Sequence, residues 1–396
     1  MAVVRNELQL TQSEVGNLII VSVLATIAGR LFFGWLCDRI GPRLSYTYLL
    51  VLVSIPVMGI GFSDSYESFL VFRLLIGLIG ASFVITQYHT SVMFNDNIIG
   101  TANAMTAGWG NLGGGAAQIV VPMIFSLFVG YGFSSGLSWR ITMLIIGMLC
   151  LCMGVVYFFL TQDTAEGNYK ELRERGELPS TKNKKQGTFV NACKDGRVWR
   201  LFIIYGACFG VELTINNIAA LYFMDYFHLS LKTAGIIAGL YGIMNIFSRI
   251  LGGHVSDRLN LKFGRQMRLK WLFATLFAEG VLLIIFSQTS ALPAAVLVFI
   301  AFALCVQMST GATFSVVPLV NRKAMGSVVG IVGAGGNFGA VAAGFLFKSS
   351  EISWPTSLMI LGGIVMLISF VALTIQLGQE KIAHKKMIPV RILKDW

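Results

Sequence analysis

Eleven long, predominantly apolar stretches divide this chain, at roughly 18–36, 44–62, 69–94, 101–129, 139–161, 198–224, 233–251, 269–287, 291–320, 325–347 and 354–377. About 20 such residues let a helix cross the hydrocarbon core of a bilayer. Backbone groups in lipid must be satisfied within the segment, so only helices or closed barrels can span it. These runs lack the two-residue alternation of barrel strands. Charged residues make up only 12% of the 396 and apolar residues 55%. A water-soluble fold this poor in charge could not cover its own surface. The sequence therefore predicts an all-α membrane protein in contact with the lipid bilayer.

The net charge of +11 is not a nucleic-acid signal, because the basic residues sit in short loops between the spans. One sizeable polar insert, about Thr161 to Arg200, carries Lys170, Arg173, Arg175, Lys182, Lys184, Lys185, Lys194 and Arg197. Most of the other loop cations fall on the same side of the membrane: Arg39 and Arg43, the cluster around 258–270, Arg322 and Lys323, and the C-terminal tail. The positive-inside rule makes that side cytoplasmic. The expected organisation is an outer segment 1–17, a five-span bundle 18–161, a cytoplasmic linker 162–197, a six-span bundle 198–378 and a cytoplasmic tail 379–396. The polar N-terminus has no signal-peptide core.

Several chemistries lack their signatures. The six cysteines are scattered, with neither metal-ligand spacing nor a disulfide framework. No G-x-x-x-x-G-K-[ST] occurs, so ATP-driven pumping is unsupported, and no hydrolase elbow is present. No cofactor, metal or enzyme activity is expected.

An internal repeat sets the architecture. The first span ends Arg30-LFF-Gly34-WLC-Asp38-Arg39 and the seventh ends Arg249-ILG-Gly253-HVS-Asp257-Arg258. A second pair is GWGNLGGG (Gly108 to Gly115) and GAGGNFG (Gly333 to Gly339), aligned through Asn111 and Asn337. The offsets are 219 and 226 residues. Parallel repeats of this size build transporters from two pseudo-symmetric halves. Arg30 and Arg249 each lie near the middle of a span, where a cation is costly and marks function.

Gly34-x3-Asp38-Arg39-x-Gly41-x-Arg43 resembles the loop motif of the major facilitator superfamily, and Gly253 to Arg258 its degenerate copy. AGWGNLGGG and GAGGNFG resemble the paired signatures of the nitrate/nitrite porter family within it. TQYHTSVMF, GVELTINNIAALYF and GATFSVVP are similar to its plant and alga branch. The resemblance implies two helical bundles, and a secondary transporter of nitrate or nitrite in the plasma membrane. It is expected to be proton-coupled, with a nitrate/nitrite exchanger or a transport-incompetent receptor as alternatives. An accessory membrane subunit is a possible partner. The family's loop motif follows its second helix, whereas here it follows the first span. The sequence therefore reads as an incomplete gene model lacking the leading helix.

The resemblance places the anion between Arg30 and Arg249. A planar guanidinium presents a fork of donors that suits a planar anion with three acceptor oxygens. The alternative is that each arginine pairs with a carboxylate to form a gate. Asn111 and Asn337, with Gly108 and Gly336, are expected to line the site, although small residues also serve helix packing. Phe83 and Phe314 are either rings sandwiching the anion or core. Asp38, Arg39, Arg43, Asp257 and Arg258 are expected to hold the cytoplasmic ends together as gating residues. Arg73 is expected in a structural or coupling role. Glu212 and His89 are candidates for proton coupling, and Tyr205, Asn216 and Asn217 for cavity lining.

Overall fold

Thr11 ends the polar N-terminal segment by capping the first long helix. Its hydroxyl accepts from the Glu14 amide while the Glu14 carboxylate accepts from the Thr11 amide, a reciprocal capping box. The computed structural model describes residues 2–176, 188–348 and 352–377. The tail 379–396 and the middle of the linker lie outside them. In chain order the helices are α1 (Ala2–Glu7), α2 (Gln12–Ile40), α3 (Pro42–Gly59), α4 (Tyr66–Gly77), α5 (Ser82–Met93), α6 (Ile99–Gly130), α7 (Ser135–Leu160), α8 (Tyr169–Glu174) and α9 (Thr188–Lys194). The second half continues with α10 (Gly196–Phe227), α11 (Leu231–Phe263), α12 (Gln266–Gln288), α13 (Leu292–Val320), α14 (Met325–Lys348) and α15 (Trp354–Leu373). No strand occurs among the described residues.

Among the described residues ten segments are long and apolar enough to cross a membrane. One of them, Tyr66–Met93, joins α4 and α5 through a 3-10 turn at Leu78–Ala81. The remaining expected span, 101–129, lies within the 32-residue α6. The fold is that of two pseudo-symmetric helical bundles. The repeat pairs α2 with α11, α3 with α12, α4 and α5 with α13, α6 with α14, and α7 with α15. Among the described residues α10 has no counterpart in the first half.

The two bundles meet at α2 against α14 and at α6 against α11. Glycine makes both contacts possible. A Cβ on Gly34 would run into the Gly326 carbonyl, and one on Gly253 into the Gly100 carbonyl. These are equivalent positions in the repeat, so the same close approach is made twice. It lies at the linker end of the helices. Toward the opposite end α6 and α11 separate. Gly108 still has Asn245 and Ile246 within ordinary contact, whereas a Cβ on Gly110, Gly113, Gly239 or Gly242 would meet nothing. The bundles form a V, closed at the linker end.

The turn between α2 and α3 shows why the loop motif needs its glycine. Gly41 has φ +92°, and any side chain there would collide with Asp163. Asp163 in turn accepts from the amides of Arg43 (2.8 Å) and Tyr169 (2.9 Å), tying the start of the linker to this turn.

Candidate anion-binding site

Two arginines and one ring form the centre of the molecule. Arg30 from α2 is 5% exposed and Arg249 from α11 is 1% exposed. The Arg30 guanidinium carbon lies 5.8 Å from the Phe209 ring centroid and that of Arg249 lies 5.9 Å from it. One phenylalanine on α10 thus carries a cation from each bundle over its ring, an arrangement the ring's quadrupole favours. The repeat predicts that the arginines face each other, and the structure brings both to Phe209.

Their partners differ. Arg30 donates to the carbonyls of Gly80 (3.2 Å) and Gly333, and no carboxylate is paired with it among the described residues. Arg249 donates to Glu212 at 2.5 Å and to Gln307 Oε1 at 3.1 Å. Glu212 also accepts from Asn245 (2.8 Å) and Thr310 (3.4 Å). No acid lies within a turn of either arginine in sequence, and the acid that reaches Arg249 comes from α10. The carboxylate pairing holds for Arg249 but not for Arg30.

Around this pair stand four aromatic rings. Tyr205 and Phe209, one turn apart on α10, stack at 5.0 Å. Phe83 stacks on both at 6.2 and 6.1 Å, and Phe314 meets Tyr205 edge-on at 5.0 Å. Phe83 and Phe314 touch each other edge-to-face at 5.1 Å and share one aromatic cluster with Tyr205 and Phe209. Gly336 admits the rings: a Cβ there would strike Phe209 and Tyr205. Asn337 is buried beside it, 7% exposed.

Several buried polar atoms here have no hydrogen-bond partner among the described residues: Nε and Nη1 of Arg249, the Tyr205 hydroxyl, Nδ2 of Asn337 and Nε2 of Gln307. Buried donors are rarely left unsatisfied, and every atom in this set can donate. Such a group suits an acceptor-rich, negatively charged guest.

Other expected residues lie elsewhere. Asn111 is exposed on the open part of α6, and Gly108 packs near α11 without reaching the rings. Asn216 and Asn217 are exposed. Arg73 is half-buried, at the opposite end from the linker. His89 lies at the linker end of α5. Its Nδ1 meets the Tyr157 hydroxyl and its Nε2 donates to the Gln162 carbonyl at 2.7 Å, so both ring nitrogens are engaged. It borders a separate cavity of about 770 Å³ that also contacts Arg43, Thr86 and Asn168.

The loop-motif acids bridge the bundles. Asp38 accepts from the amides of Gly326 and Ser327 at 2.9 Å each, and from the Ser327 hydroxyl. Asp257 accepts from the amides of Gly100 (3.1 Å) and Thr101 (2.6 Å). Each acid therefore caps the helix N-terminus of the opposite bundle. Arg39 stacks on Trp35 and Arg43 on Phe158, each at 4.3 Å, and Arg258 is exposed. Arg268, which the repeat does not single out, is fully buried and donates to Asp257 (2.6 Å) and to the Asp96 carbonyl (2.7 Å).

Two helical bundles with a buried cationic centre between them fit a membrane transporter. The profile of the Major Facilitator Superfamily matches residues 1–341, and the chain belongs to that superfamily. Among solved structures it is similar to the proton:xylose symporter XylE, with TM-score 0.68 at 14% identity over 93% of this chain and 89% of that one. It is also similar to the Escherichia coli fucose:proton symporter FucP, with TM-score 0.67 at 14% identity over 94% and 93%.

Sequence relatives narrow the family. High affinity nitrate transporter 2.5 of Arabidopsis thaliana is 38% identical over 91% of this chain and 72% of its own length. Nitrate transporter 2.2 of Chlamydomonas reinhardtii is 36% identical over 90% and 70%. The nitrate/nitrite transporter NrtP of Nostoc punctiforme is 27% identical over 92% and 85%. Within the superfamily this is a member of the nitrate/nitrite porter family, an integral multi-pass membrane protein and not an enzyme.

Proposed function

We propose that this protein is a proton-coupled secondary transporter of nitrate and nitrite, holding the anion between Arg30 and Arg249. The observation that carries this reading is the pair of guanidiniums on one phenylalanine ring, surrounded by buried donors without partners. Planar forks of N–H groups match the oxygens of nitrate, and burial strengthens each contact. The names of the relatives support the same substrate.

The closed linker end supports alternating access. The linker ends are closed by paired glycine contacts and by Asp38 and Asp257, while the opposite ends diverge. With the linker in the cytoplasm of a plasma membrane, this is the outward-facing state. Rocking the bundles about the central arginines would open the other side. Proton coupling supplies the driving force. Moving one negative charge inward against an interior-negative potential costs about 2.3 kcal/mol per 100 mV, and a co-transported proton cancels that term.

Isotopic nitrate uptake into proteoliposomes under an inward proton gradient tests this reading. Saturable, gradient-accelerated uptake is expected. Nitrate binding without flux would contradict transport and indicate a receptor.

A further inference from the structure

Glu279, on α12, takes no part in the site described above. Its side chain is fully buried, and no cation is paired with it among the described residues. Oε2 lies 2.6 Å from the Ser309 hydroxyl and Oε1 has no partner. The Ser309 hydroxyl is also 2.9 Å from the Val306 carbonyl, and a hydroxyl has only one proton to give. When Ser309 donates to Val306, Glu279 can bond to it only as a donor, in the acid form.

The ionisable and polar groups around Glu279 are all neutral or acidic. They are Cys208 and Glu212 on α10, Tyr241 on α11, and Cys305 and Ser309 on α13. From α15, Gly362 and Met366 pack at Gly280, and that helix carries no titratable side chain. Among the described residues a carboxylate there has no cation to pair with, so its charge answers to the net charge of the groups around it. Glu212 differs, because it is ion-paired with Arg249 and accepts from Asn245 and Thr310 as well. The two acids are linked through α13, where Ser309 reaches Glu279 and its neighbour Thr310 reaches Glu212. The Tyr241 hydroxyl, buried and without a partner, lies within electrostatic reach of both.

We propose that Glu279 carries the transported proton, protonated while the anion is bound and deprotonated once it has left. This rests on the nitrate-and-proton reading above. With the anion bound, Arg30 and Arg249 are balanced by Glu212 and the anion, and the buried centre is neutral only if Glu279 holds its proton. With the anion gone, the two arginines are balanced by Glu212 and an ionised Glu279. Anion and proton therefore bind together or leave together, and each raises the affinity of the other. On loading, the carboxylate takes a proton from water on the entry side and forms an O–H bond. On release, that bond breaks, the electron pair stays on the carboxylate, and the proton passes to water on the exit side. The Ser309 hydroxyl, 2.6 Å from Oε2, is the group placed to hand it on. Glu279 touches no anion, so it is a coupling residue that acts through charge.

The test is nitrate titration of the purified full chain by calorimetry in buffers of different ionisation enthalpy. The parent is expected to take up about one proton per nitrate bound near neutral pH. Glu279→Gln mimics the acid form and is expected to take up none, while its affinity stays within about threefold of the parent's. In proteoliposomes the Gln variant keeps nitrate-for-nitrate exchange and loses acceleration by an inward proton gradient, while Glu279→Asp recovers proton uptake. A merely structural glutamate would lower both modes alike. Proton uptake persisting in Glu279→Gln, or nitrate binding to the parent without proton uptake, overturns the proposal and leaves the anion site standing. Failure of the parent to bind nitrate overturns both. If the Gln variant does not fold, infrared difference spectra of the parent with isotope-labelled glutamate decide. A protonated carboxyl band appearing with nitrate supports the proposal, and its absence overturns it.

Discussion

In the proposed site, Glu212 and a bound anion share one guanidinium. Arg249 gives Nη2 to Glu212 and Gln307, while its Nε and Nη1 have no partner among the described residues. Breaking a buried ion pair by removing one member leaves the other charge uncompensated, at about 3–5 kcal/mol. Glu212→Gln should therefore lower the melting temperature in nitrate-free buffer. Added nitrate should then raise it by more than it raises the parent's, because the anion now supplies the missing charge. A nitrate-induced shift equal to the parent's would show that Glu212 does not sense the anion. Arg30 and Arg249 are legible in the sequence because each is a cation inside an apolar run and the repeat matches them. Glu212 attracts notice as a lone acid, but its pairing with Arg249 does not, since the two lie on separate helices. Phe209 is one of 29 phenylalanines, and nothing in the sequence separates it from core.

Between helices, the repeated glycines set how closely the bundles approach. The pairs Gly34–Gly326 and Gly253–Gly100 leave no room for a methyl group against a facing carbonyl oxygen. Gly34→Ala and Gly253→Ala should each push the linker ends apart, shifting the equilibrium toward the state open on that side. Nitrate binding should survive while gradient-driven uptake falls, which parallel binding and flux assays would show. Unchanged uptake in both variants would mean that this closure is not part of the cycle. The offsets of 219 and 226 residues predict two matched motif pairs. The structure joins them crosswise, with Asp38 capping α14 and Asp257 capping α6. That crossing is invisible in sequence because it depends on which helix of one bundle faces which helix of the other. The same repeat makes Asn111 and Asn337 equivalent, yet only Asn337 is buried beside the rings. Around Asn337, α10 packs on α14, with Gly206 against Gly339. Among the described residues no helix plays that part against α6.

Across the whole chain, orientation and substrate site are separable claims. Cys193 in α9 is partly exposed, on the linker side. A membrane-impermeant thiol reagent should miss it in intact cells and reach it after permeabilisation, and labelling from outside would invert the topology. The central claim is that two bundles each contribute one planar fork to a single anion. Lysine keeps the charge and loses the fork. Nitrate binding to the purified protein, measured for the parent, Arg30→Lys and Arg249→Lys, tests this most directly. Each substitution should weaken binding at least about tenfold, near 1.4 kcal/mol, and parent-like affinity in both would contradict the two-arginine site.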